Sequence, residues 1–165
     1  DGAFRTVVAV AETRHVVMRP FLVGQVMPIH AGAPGKIFLA FDPGAREALA
    51  DTELVRFTSE TPTSWDLLDN QSEVARSQGF YAAFGERNID VGSISAPVFN
   101  HTGHLAAVLG LGFPTQRIDP ADVSRLGPAV ADAARGASAA LGYASTVPTP
   151  PPAGRPAKGS RNANA

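Results

Sequence analysis

The sequence predicts an α+β fold in which an antiparallel sheet carries helices. Three observations lead there. Strand-like runs cluster at both ends of residues 1–143 with helical segments between them, whereas a parallel sheet would need strands and helices to alternate. Two apolar runs are joined by Asn100-His101-Thr102-Gly103, a short polar connector with glycine that signals a hairpin. Two Asp-Pro pairs, Asp42-Pro43 and Asp119-Pro120, each place an N-cap before a proline suited to the first helical position.

Taken in order, the first elements are β-like runs at Phe4–Ala11 and His15–Val23, where Val7, Val8, Val10, Val16 and Val17 favour strand through β-branching. Residues Ala33–Phe41 are apolar at helical spacing, and Asp42-Pro43 opens a short helix through Ala50. A third helix runs from about Ser64 to Gln78, with Gly79 as its left-handed terminator. Strands follow at Gly79–Phe84, Val91–Phe99 and His104–Phe113. The last helix begins at Asp119-Pro120 and sets Val123, Leu126, Val130, Ala134, Ala137 and Leu141 on one face. Gly127-Pro128 is expected to kink or split it, and Gly142 ends it. The order is β-β-α-α-α-β-β-β-α.

From residue 144 the composition changes. The stretch from Val147 to Ala165 holds almost no large apolar side chain and cannot bury enough surface to offset its ordering entropy. Residues 1–143 are therefore read as one domain and 144–165 as a disordered Pro-rich tail. The chain opens on Asp1 rather than Met, which predicts a fragment or a processed product.

Composition excludes several functions. The net charge of -1, from 14 basic and 15 acidic residues, lacks the basic surplus of a free-standing nucleic-acid-binding domain. Absence of Cys removes disulfides, thiolate metal sites and a Cys nucleophile. No apolar run approaches the roughly 20 residues of a membrane span. Gly35-Lys36 suggests a phosphate-binding loop, but His30 and Ile37 stand where that motif needs Gly and Ser or Thr. His101 and His104 flank a turn, where polar residues belong, so no metal is expected. His30 reads as a capping or packing residue. Glu86 and Asp90 read as part of a solvated charged loop rather than an acid–base pair. No nucleophile elbow is present. No catalytic residue and no cofactor follow, although a small hydrolase or isomerase using His30 or Glu86 stays open.

Two stretches carry a family resemblance. Met27-Pro-Ile-His-Ala-Gly-Ala-Pro-Gly-Lys-Ile-Phe-Leu-Ala-Phe41 is similar to a Leu-Pro-x-His-Ala-x-x-x-Gly-Lys-x-x-Leu-Ala signature. Gly79-Phe-Tyr, Glu86, Ile94-Ser-Ala-Pro-Val-Phe-Asn100 and Gly103 match a second signature in the correct order. Together they resemble the effector-binding domain of IclR-type transcriptional regulators. The resemblance implies a GAF-like (profilin-like) sheet with flanking helices and a cytoplasmic regulator. It also implies a homo-oligomer and DNA contact only through an N-terminal winged helix-turn-helix that lies outside this chain. The family's opening helix and strand are expected to be truncated, leaving an exposed sheet edge. A GAF-type sensor with an output other than DNA is the alternative.

The resemblance further implies effector contacts at Val91, Ser93, Gly110 and Gly112 on strands and at Ala33, Pro34 and Gly35 in the loop leading into a helix. Alternation puts Val91, Ser93 and Ser95 on one strand face and Ala106, Val108, Gly110 and Gly112 on a face of small residues. Small strand residues leave room for a ligand. Backbone N–H groups at a helix start would suit a carboxylate, with Ser93 donating a hydroxyl hydrogen bond. Where the family often has polar residues, this chain has Gly110, Gly112 and Ala83, and Pro34 removes one N–H. The expected effector is therefore a larger or more aromatic carboxylic acid than a pyruvate-sized one.

Overall fold

The computed structural model describes residues 2–11 and 21–144. Its elements, in order, are β1 (Phe4–Thr6), β2 (Val26–Pro28), α1 (Ala33–Phe41), α2 (Pro43–Ala50), α3 (Trp65–Gln78), β3 (Tyr81–Phe84), β4 (Val91–Phe99), β5 (Leu105–Pro114), a short 3-10 turn (Pro120–Asp122) and α4 (Val123–Ala140). The element order is the expected one. Local signals explain most boundaries. The Asp42 carboxylate accepts from the Gly44 N–H at 3.0 Å at the start of α2, and Ser64 Oγ caps α3. Gly79 leaves α3 at φ 73, a conformation that costs a residue with a Cβ. Asp119 and Asp122 form a reciprocal capping box.

The N-terminal strands depart from expectation. Strand β1 is only Phe4–Thr6, and its partner β2 lies at Val26–Pro28, beyond the predicted His15–Val23 run. Residues 15–20 of that run lie outside the described residues, and Leu22–Gln25 form a turn, with Gln25 N–H donating to the Leu22 carbonyl at 3.0 Å. Among the described residues, pairing reaches Val7 through hydrogen bonds with Gly24 and Gln25 and goes no further. Val8 is 78% exposed, and β-branching gives a residue strand propensity without supplying the neighbour that a strand pairs with. The predicted tail, apart from Ala144, also lies outside the described residues.

Among the described residues there are two antiparallel sheets, β1-β2 and β3-β4-β5. Strand β4 is central and buried along nearly its whole length. On one face Ala96 and Val98 pack with Ala131 and Ala134 of α4. On the other lies α1, whose Ala33 N–H donates to Ser93 Oγ at 3.3 Å. A second cluster, Ala3, Ile29, Ala45, Leu49 and Leu68, joins α2 and α3 to the first sheet. Strand β5 has β4 as its neighbour, and Leu109 and Leu111 keep substantial exposure.

Helix α4 differs from expectation in part. It continues as one helix through Gly127-Pro128 rather than splitting there. A Cβ on Gly127 would lie 2.2 Å from the Phe80 ring, so the glycine is there for close packing. Its most buried residues are Gly127, Ala131, Ala134 and Ser138; of the predicted stripe, Ala134 lies in the same core cluster and Val130 and Ala137 pack against it, whereas Leu141 is exposed. A helix seated close on Ala96 favours small side chains over large ones, because the packed layer leaves no volume for Leu.

Candidate ligand-binding cavity

A cavity of about 330 Å³ opens where the two sheets and the start of α1 meet. Its apolar wall comes from Phe21, Met27, Pro34, Ala83 and Val91. Its polar wall comes from Arg5, Gln25, Glu86, Arg87, Asn88 and Ser93. Sheet register sets this grouping. Ala83 of β3 stands opposite Ser93 of β4, so the two present neighbouring side chains on the α1 side. The tight turn Gly85–Asp90 then brings Glu86, Arg87 and Asn88 over the same edge.

Beneath the cavity lies a buried ion pair. Lys36 is 0% exposed and Glu86 6%. The Lys36 ammonium donates to Glu86 Oε2 and, at 2.8 Å, to the His30 carbonyl. The same Oε2 accepts from the Gly32 N–H at 2.7 Å. Burial lowers the Lys36 pKa to about 8, against the opposing pull of Glu86. The expected solvated role for Glu86 is thus overturned. Its loop is pinned from behind: Thr61 Oγ1 donates to the Glu86 carbonyl at 2.6 Å and Thr58 Oγ1 to the Gly85 carbonyl at 2.7 Å. Asp90 stays exposed, as expected of that loop.

The helix start does not offer its amides to a ligand. Gly32 N–H is taken by Glu86 and Ala33 N–H by Ser93; Pro34 has none, and Gly35 N–H donates to the Gly32 carbonyl at 3.1 Å. The carboxylate reading based on those amides is therefore corrected. Positive charge comes instead from Arg5 and Arg87. Arg5 is 7% exposed and donates to the Pro28 carbonyl and, at 2.9 Å, to the Ala31 carbonyl. Among the described residues no carboxylate pairs with it at ion-pair distance. Burial foremost, then the charge of Arg87, lowers its pKa to about 10, with Glu86 opposing. Arg5 remains a cation at neutral pH.

Of the residues expected to meet an effector, Pro34, Val91 and Ser93 line this cavity. Ala33 and Gly35 are buried behind it. A Cβ on Gly35 would stand 1.6 Å from the Ile29 carbonyl oxygen, so this glycine lets α1 approach the β2–α1 loop. Gly110 and Gly112 lie elsewhere. They flank Ser95 and Ser93 on the β5 side of β4, whereas the cavity opens on the β3 side. Alternation identifies a shared face but does not say which neighbouring strand the opening favours. His30 is buried, stacks on Phe57 with ring centroids 5.7 Å apart, and bonds the Val55 carbonyl through Nε2 at 3.0 Å; it packs. Arg5 and Arg87 were missed. A lone arginine ahead of a valine-rich run was the available signal for Arg5, and a lone lysine inside the apolar Ala33–Phe41 segment was the signal for buried Lys36.

Fold and cavity together define a class: an α+β domain of GAF-like architecture with a cavity that has one apolar and one charged wall. The model of the bacterial transcriptional regulator IclR C-terminal family matches residues 4–139, and the chain belongs to that family. It is 32% identical over 124 residues to the HTH-type transcriptional regulator XynR of Escherichia coli K12, covering 73% of this chain and 49% of that protein. The crystal structure of Thermotoga maritima IclR superposes with a TM-score of 0.79 at 23% identity, covering 87% of this chain and 59% of that one. The C-terminal domain of E. coli KdgR gives 0.66 at 30% identity, covering 73% and 75%. The chain spans about half the length of the curated relatives it matches. Those relatives are named as regulators, and the hydrolase or isomerase alternative falls with that. No helix among the described residues is long and apolar enough to cross a membrane.

Proposed function

We propose that this chain is the effector-sensing and oligomerisation domain of a cytoplasmic transcriptional regulator, and that its effector is a small organic acid held in the cavity beside Arg5 and Arg87. One observation carries the reading. Lys36 is neutralised by Glu86, which leaves Arg5, buried, and Arg87 as the cations at the cavity with no carboxylate at ion-pair distance among the described residues. A buried cation is stabilised by a matching anion. The volume sits near the low end of the roughly 300–1,000 Å³ usual for ligand pockets, which suits an acid larger than pyruvate. DNA recognition and its control belong to the whole regulator, with effector binding favouring one arrangement of subunits over another.

The test is thermal shift and calorimetry with carboxylates and their primary amides of equal shape. The acids raise the melting temperature and the amides do not. Arg87→Ala, on an exposed residue, weakens acid binding and its salt dependence. Equal stabilisation by amides would sink the reading.

A further inference from the structure

We infer that Glu86 is a specificity determinant of this cavity and selects organic acids that carry a hydroxyl group, over both unsubstituted and oxo acids. The inference rests on the acid-sensing reading above and adds to it the second functional group of the ligand.

The two oxygens of Glu86 have different surroundings. Oε2 holds both the Lys36 ammonium and the Gly32 N–H. Oε1 accepts no hydrogen bond from any described residue, and Glu86 lines the cavity. The carboxylate cannot swing away, because Oε2 is held from two sides and its backbone is fastened by Thr58 and Thr61. An ionised carboxylate oxygen only accepts hydrogen bonds. The cavity therefore combines one fixed acceptor with two arginine side chains in its lining.

A ligand that fits this pattern needs an anion for Arg5 and Arg87 and a neutral donor for Oε1. An ammonium would supply the donor but bring positive charge toward Arg5, Arg87 and Lys36. A hydroxyl supplies it without that cost. An oxo group would set its own lone pairs against Oε1, and an unsubstituted chain would leave Oε1 desolvated and unpaired, which is the more expensive state for a buried acceptor. A hydrogen bond to a charged group contributes roughly 1.5–3 kcal/mol, which converts to an affinity ratio of about tenfold or more.

The experiment is calorimetric titration of the full 165-residue chain with hexanoate, its hydroxy derivatives at C2 and C4, the matching oxo acids, and 2-aminohexanoate. One hydroxy acid is expected to bind about tenfold more tightly than hexanoate, and both oxo acids more weakly than their hydroxy partners. In Glu86→Gln the amide oxygen keeps the Gly32 N–H and turns an NH₂ donor toward the ligand, so the hydroxy-over-oxo ratio is expected to fall below one. An oxo acid or 2-aminohexanoate matching the best hydroxy acid on the wild-type chain overturns the inference, and that comparison stands even where Glu86→Gln does not fold. Tight binding by hexanoate with no gain from any hydroxyl overturns it while leaving the acid-sensing reading in place. Failure of every acid to bind overturns both.

Discussion

Replacing Lys36 by Met tests the buried pair beneath the cavity. The side chain is fully buried, and its ammonium bridges Glu86 and the His30 carbonyl. Methionine conserves most of the volume but leaves the Glu86 carboxylate with the Gly32 N–H as its one remaining described partner at Oε2. Removing one partner of a buried ion pair costs about 3–5 kcal/mol, and the lost bond to the His30 carbonyl adds about 1 kcal/mol. Lys36→Met is therefore expected to lose about 4–6 kcal/mol by that sum. The double variant Lys36→Met/Glu86→Gln keeps an acceptor for Gly32 and leaves no uncompensated charge at the pair. It is expected to recover at least about 2 kcal/mol of that loss, since neutral replacements of buried pairs are often well tolerated. Urea unfolding followed by the fluorescence of Trp65, the only tryptophan and one packed against a core cluster, gives the four corners of the cycle. Additive costs in the double variant, within about 0.5 kcal/mol, would refute the claim that the two residues act as one unit.

Three further outcomes follow from other parts of the molecule. Gly35→Ala places a Cβ 1.6 Å from the Ile29 carbonyl; backbone cannot yield as a side chain does, so the variant is expected to lose more than about 3 kcal/mol or most of its soluble yield. Gly110→Ala is expected to leave acid affinity unchanged by calorimetry, because Gly110 lies on the β5 side and its added Cβ meets Ser95 Oγ at 3.1 Å rather than the ligand space. Finally, Lys36 has a folded pKa of about 8 against an ordinary 10.5, so between those values the unfolded chain binds more protons and stability rises with pH. From about pH 8 to 10, before Arg5 begins to contribute in the same direction, unfolding free energy is expected to rise by at most about 1.4 kcal/mol per pH unit. The rise should be absent in Lys36→Met.

Particular residues show where sequence reading succeeded. Asp42, Ser64, Gly79 and Asp119 mark their helix ends because capping and left-handed termination involve atoms only a few residues apart. The Asn100–Gly103 connector works the same way, with Asn100 Oδ1 accepting from Thr102 and His104. The N-terminal strand pair was less legible, because Val7, Val8 and Val10 carry strand propensity without naming a partner. In the cavity, Pro34, Val91 and Ser93 were picked out through the family resemblance. Gly110 and Gly112 were picked out with them, since the same alternation places them on the same face.

The sequence by itself determined the element order, the helix caps, the hairpin and the family, because those depend on local hydrogen bonds, backbone preferences and motifs spelled out in consecutive residues. Only the tertiary structure decided that Glu86 is buried rather than solvated, that Lys36 fifty positions earlier neutralises it, and that Arg5 from the first strand supplies charge to the cavity. The physical reason is that the ionic environment of a side chain is set by what else is excluded from water around it. For this domain, that enclosure is assembled from three segments far apart in the chain.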